Sequence, residues 1–121
     1  MSESIYLFVY GTLKRGERNH PLLSGQPYIQ PARTRPTYRL YDCGPYPALV
    51  HDSSGVAVEG EVYLVASSAF GQIDLLEDAP RLYRLEPVAL ANCDRPVFTY
   101  IYQQDVSGFI DCGPSWTDQR H

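Results

Sequence analysis

The 121-residue sequence predicts an α+β domain in which sheet dominates. Three observations carry that expectation. Ten tyrosines and ten prolines stand against few strong helix formers, β-branched and aromatic runs recur between turn signals, and one segment has clear helical spacing. A chain of this length forms one domain, residues 1–121, and buries roughly two-thirds of its unfolded surface.

Residues 5–10 form an apolar, β-branched and aromatic run that suits a buried strand and stops at Gly11 before any polar turn residue has appeared. Gly11 and Gly16 allow backbone angles and close approaches that a Cβ would block. Amide groups freed at such a strand end bind a carboxylate or an oxyanion, and a tight connection is the plain alternative. Residues 19–23 suit a single helical turn, with Asn19 placed to cap and Pro21 in the first turn. Residues 28–35 and 38–41 read as strands broken at Pro36, and residues 42–47, Asp-Cys-Gly-Pro-Tyr-Pro, as a loop. Residues 48–50 resume a strand, residues 52–55 turn, and residues 57–65 alternate as the next strand.

Phe70, Ile73 and Leu76 recur at helical spacing after Ser67 or Ser68 as N-cap, so a helix runs through Glu77, with Pro80 marking its end. Residues 83–90 and 97–103 are two strands joined by a turn-rich link, the second apolar on both faces as a central strand should be. The tail from residue 106 has no period; it packs by Phe109 and Trp116 or frays.

A net charge of −4 argues against nucleic acid or an anionic membrane as partner, because both need a basic surface. Lys14, Arg15, Arg18, Arg33, Arg35 and Arg39 read mainly as solvated surface, with one of them as a candidate for steering an anionic ligand. The N-terminus carries no basic segment and no long apolar run, so a cytoplasmic location is expected. Cys43, Cys93 and Cys112 are dispersed, as are His20, His51 and His121, and neither a disulfide framework nor a zinc site is indicated.

Glu77 follows Phe70 by seven residues and Ile73 by four, which puts its carboxyl on the core side of the helix together with Asp74, while Asp78 turns outward. Either Glu77 reaches water past the helix edge and pairs with Arg81, or it lies partly buried with a pKa raised toward that of a general base. There is no GxSxG elbow, HExxH pair or complete phosphate loop to compete with it.

Taken together, the chain resembles the γ-glutamylcyclotransferase-like family, in particular the branch with γ-glutamylamine cyclotransferase and many small bacterial proteins. The resemblance rests on five pieces in order: FVYGTLKRG at residues 8–16, Asn19-His20, YPALV at 46–50, VEGEVY at 58–63 and IDLLEDAPRLYR at 73–84. It implies a small mixed β-barrel with peripheral helices and an enzyme that cyclises a γ-glutamyl amine or amide to 5-oxoproline, releasing the amine. By the same resemblance, Tyr10, Gly11, Thr12 and Leu13 bind the γ-glutamyl group and Glu77 is the catalytic acid and base. No cofactor or metal is implied, since the nucleophile is the substrate's own α-amine. The rival readings are a non-catalytic binding or regulatory module on the same fold and a hydrolase using Cys43 or Cys93. Neither the released amine nor the oligomeric state is legible in the sequence.

Overall fold

A computed structural model describes residues 3–117. Its core is a five-stranded sheet made of β1 (Ser4–Val9), β2 (Tyr28–Arg33), β5 (Glu59–Ala66), β6 (Tyr83–Pro87) and β7 (Val97–Tyr102), in the order β2-β5-β1-β7-β6. β1 lies at the centre, antiparallel to β5 and parallel to β7. A second sheet of three strands, β3 (Tyr38–Asp42), β4 (Pro47–His51) and β8 (Ile110–Asp111), is ordered β4-β3-β8.

Period-two alternation divides the core between the two faces of the larger sheet. Phe8 and Tyr10 of the β1 end, with Val97 and Ile101 of β7, pack toward Leu40 and Leu49 of the smaller sheet and Trp116 of the tail. Leu7, Val9, Tyr100 and Tyr102 point the other way, onto Ile73 of helix α1 (Phe70–Glu77) and Leu23 of a short 3₁₀ turn, His20–Leu23.

Among the described residues the chain is a mixed α+β fold of two sheets and one α-helix, and its strand ladders alone do not close into the small mixed β-barrel expected from the resemblance. The two edges of the larger sheet meet at one antiparallel bridge, Thr34 with Leu90, flanked by the Arg35 amide on the Ala89 carbonyl and the Ala91 amide on the Arg33 carbonyl. Pro31 in β2 and Pro87 at the end of β6 donate no amide to a further ladder, which keeps these edges short.

The expected strands are present, with shifts at their ends. Among the described residues, the short β8 has no counterpart in the sequence reading; it exists because the tail pairs with Tyr41 and Asp42 of β3. Neither expected cap operates. Asn19 makes no side-chain cap, and α1 is entered through a 3₁₀ turn at Ser67–Ala69 with no serine cap. Leu76 stands 39 % exposed, so the inward face of α1 runs through Phe70, Ile73, Asp74 and Glu77 instead. Asp78, in the left-handed region at φ 52°, ends the helix two residues before Pro80, with the Ala79 amide on the Asp74 carbonyl.

Of the two outcomes for the tail, packing holds as far as residue 117; residues 118–121, with His121, lie outside the described residues. Trp116 is 2 % exposed, its indole N–H donates to Asp42, and its carbonyl accepts from Lys14. Arg39 ties the same segment down by pairing with both Asp52 and Asp111. No helix among the described residues is long and apolar enough to cross a membrane. Replacing Trp116 with Ala is expected to cost about 3–5 kcal/mol, read as a lower midpoint in urea unfolding; an unchanged midpoint would mean that the tail does not pack in solution.

Candidate active site

The central strand β1 delivers residues 10–13 to the floor of a cleft of about 340 Å³, open mouth included. Its walls come from elsewhere in the chain: Tyr46 and Pro47 at the start of β4, Glu77 as the last residue of α1, Tyr83 at the start of β6 and Tyr100 in β7. The structure thus brings together all five residues singled out from the sequence, Tyr10, Gly11, Thr12, Leu13 and Glu77.

Gly11 is required by close packing: a Cβ there would lie 2.6 Å from Cγ and 2.7 Å from Cδ of Pro47. Gly16, by contrast, sits in open space and is needed for its φ of +88°. The amides of Tyr10, Gly11, Thr12 and Leu13 donate to no other described residue, although all four residues are buried. Buried amides are nearly always paired, so four consecutive free donors beside a cleft form a place for an anionic or carbonyl oxygen.

Glu77 is partly buried, and desolvation, followed by the nearby charge of Asp74, pushes its pKa up to about 7. Its position at the carboxyl end of α1 acts in the same direction, because that end of a helix disfavours an anion. The alternative of a Glu77–Arg81 pair is not realised: Arg81 pairs with Asp78. Asp74 is held by the Tyr100 hydroxyl at 2.6 Å.

The tyrosines are fixed donors. The Tyr10 hydroxyl bonds the Tyr100 carbonyl at 2.5 Å, and Tyr83 bonds the Pro47 carbonyl at 2.6 Å. Burial raises the pKa of Tyr10, Tyr83 and Tyr100, so these phenols stay protonated near neutral pH. Beyond Tyr83, edge-to-face contacts continue through Tyr102 to Phe109 of the tail.

Tyr46, Tyr83 and Tyr100 are site residues that residue-level reading did not single out as functional. Tyr46 and Tyr83 lie inside the motif pieces, but Tyr100 is masked by a strand in which every residue suits the core. The basic residues after the loop are engaged elsewhere. Arg15 stacks on Tyr28, Lys14 holds the tail, Arg39 is paired, and no Lys or Arg is among the described residues lining the cleft. Burial pushes the Cys43 and Cys112 thiols up to about 11, which leaves them poor nucleophiles, and Cys93 does not line the cleft. Among the described residues, no cluster of His, Cys, Asp and Glu could hold a metal ion.

Comparison with known proteins places the chain in context. Residues 7–118 match the family described as gamma-glutamyl cyclotransferase, AIG2-like. A Vibrio cholerae protein whose name marks it provisionally as a gamma-glutamylcyclotransferase is 41 % identical over 112 residues, covering 88 % of this chain and 91 % of that protein. The human gamma-glutamylaminecyclotransferase is 41 % identical over 86 residues, 64 % of this chain and 56 % of its own length. The crystal structure of an AIG2-like protein from Mus musculus superposes with a TM-score of 0.81 at 23 % identity, covering 95 % of this chain and 89 % of that one, and so shares the fold.

Two outcomes follow from the packing and charge of this cleft. Gly11→Ala is expected to lose about 1–3 kcal/mol through overpacking against Pro47, measured by thermal unfolding. Asp74→Asn keeps an acceptor for Tyr100 and removes the neighbouring charge, so the Glu77 pKa is expected to fall from about 7; a carboxyl NMR titration reads the shift, and no movement would remove Asp74 as a cause and leave desolvation and the helix end.

Proposed function

The chain belongs to the gamma-glutamyl cyclotransferase, AIG2-like family, and from that premise we propose that its cleft cyclises a γ-glutamyl amine or amide to 5-oxoproline and releases the amine. The observation that carries this reading is the meeting of Glu77, with a pKa of about 7, and the free amides of residues 10–13 in one cleft.

In the proposed reaction the Glu77 carboxylate takes a proton from the substrate's α-ammonium. The freed amine attacks the γ-carbonyl carbon, and the C–O π electrons move onto oxygen. The loop amides stabilise that oxyanion, a task for which preorganised donors are well suited. As the oxyanion collapses, Glu77 returns the proton to the leaving nitrogen and that bond breaks; the regenerated carboxylate then takes the second proton from the ring nitrogen and passes it to the departing amine, so that a neutral lactam and an ammonium leave. These proton transfers need a carboxyl poised near the working pH, and a side chain at its ordinary value would be a weaker base for the first step. Ring closure within one bound molecule draws on intramolecular reactivity, for which effective molarities of roughly 10⁵–10⁸ M are the ceiling. The nucleophile arrives with the substrate, in keeping with a site that has a base and donors and thiols of raised pKa.

Glu77→Gln is expected to abolish 5-oxoproline release from a panel of γ-glutamyl amines, amides and peptides while the fold persists. Binding without 5-oxoproline from any of them in the parent protein would favour the non-catalytic module. Full turnover in the variant would remove Glu77 from the reaction. The same substitution has a stability signature. Because the folded-state pKa of Glu77 lies above its unfolded value, the folded protein holds the proton more tightly, and stability is lost as pH rises from about 4.5 to about 7. Glu77→Gln is therefore expected to gain on its parent across that window by at most about 3 kcal/mol, reduced by solvent screening at the partly exposed carboxyl. Urea unfolding at pH 4.5 and pH 8 measures the difference.

A further inference from the structure

Asn19-His20 is one of the motif pieces, yet neither residue lines the cleft. What they do instead is hold carbonyls. The Lys14 amide donates to the Gly11 carbonyl at 3.0 Å, the Asn19 amide to the Thr12 carbonyl at 2.9 Å, and His20 Nδ1 lies 2.9 Å from the Leu13 carbonyl. A carbonyl oxygen only accepts, so Nδ1 carries the proton in this contact.

Trans peptide planarity turns these three bonds into an orientation. In a trans peptide the C=O of one residue and the N–H of the next point in opposite directions, and the peptides between residues 11 and 14 are trans. The Thr12 carbonyl held toward Asn19 directs the Leu13 N–H the other way. His20 fixes the Leu13–Lys14 plane by its carbonyl, and the amide of that same plane holds the Gly11 carbonyl, which directs the Thr12 N–H away in turn. His20 is itself seated at the start of the His20–Leu23 turn, with its ring 5.7 Å from that of Tyr63, and Pro21 follows in the first turn.

We propose that His20 is a positioning residue of the active site: its Nδ1–H grips the Leu13 carbonyl and sets the planes that present the Thr12 and Leu13 amides to the γ-glutamyl group. This rests on the γ-glutamyl reading of the cleft for the identity of the ligand, while the grip on the loop does not depend on turnover.

Asn places an amide N–H near the position of the histidine Nδ1, whereas Leu fills similar space without a donor. His20→Leu is expected to lower kcat/KM at least tenfold on a γ-glutamyl substrate that the parent turns over, and His20→Asn to recover most of it. In parallel, 5-oxoproline titrated into ¹⁵N-labelled protein is expected to move the Thr12 and Leu13 amide signals in the parent and in His20→Asn, with binding weakened at least tenfold in His20→Leu. If His20→Leu does not fold, His20→Ala takes its place in both measurements. Equal kcat/KM and equal 5-oxoproline affinity in all variants would overturn the role of His20 and leave the cyclotransferase reading standing. Loss at Leu without recovery at Asn would also overturn it, since that is what a purely packing role produces. A parent that binds 5-oxoproline with the expected pattern across variants but turns over no γ-glutamyl compound would sink the reaction and keep His20 in place.

Discussion

The site depends on one constraint: a carboxyl must be kept where its charge is penalised. Glu77 reaches such a place because the inward stripe of α1 passes through Ile73 and continues to the last helical residue, at the edge of a cleft walled by tyrosines. Asp78 ends the helix in the left-handed conformation, so Glu77 is placed by the last turn and not by a loop. Arg81, the nearest available cation in sequence, is drawn off by Asp78. Had Arg81 reached Glu77, the attraction would have opposed desolvation and returned the pKa toward that of an ordinary carboxylate.

Opposite Glu77, the loop after β1 answers a second demand, that backbone donors stay free without the chain going slack. Its carbonyls are all engaged on Gly11, Thr12 and Leu13, and its side chains are buried. Pro47 packs so closely on Gly11 that the loop has no room to relax toward the cleft wall. The Tyr83 hydroxyl holds the Pro47 carbonyl in turn, and Trp116 joins the two walls by bonding Asp42 on one side and Lys14 on the other. A tail of apparently featureless sequence therefore buttresses the loops that shape the site.

Much of this was legible in the sequence because it is local. The strand into Gly11, the helix through Glu77 and the core-side projection of that residue follow from period and residue type; whether its carboxyl is buried or reaches water past the helix edge is decided by packing and by the pairing of Arg81 with Asp78. Serine propensity does not place the cap of α1, because it does not reveal that a 3₁₀ turn precedes the helix, and asparagine propensity does not show whether the Asn19 side chain engages the short turn after it. Strand β8 was hidden because two residues carry no period; only pairing with Tyr41 and Asp42 defines it. Closure of the larger sheet, likewise, is decided by how two proline-bearing edges meet, and here they meet at one bridge. Tyr100 escaped notice for a different reason: in a strand buried on both faces, a tyrosine that serves the site is indistinguishable from one that fills the core.

The uncharged character of the remaining lining is tied to the same carboxyl. A Lys or Arg beside the cleft would bind an anionic ligand group more strongly than amides do, but it would also lower the Glu77 pKa and weaken it as a base. Among the described lining residues, neutral donors take that place: backbone amides and phenols whose own pKa values are raised by burial. In the proposed reaction the arriving ammonium then supplies the missing positive charge itself. Its approach favours the ionised carboxylate, forming an ion pair in a poorly solvated cleft where proton transfer yields two neutral groups. Such a pair is costly to keep apart from water, so the desolvation that raises the Glu77 pKa also drives the proton toward the carboxylate and frees the amine to attack. In that proposed reaction the burial of Glu77 is a means of generating the nucleophile, and a cleft lined with cations would forfeit it.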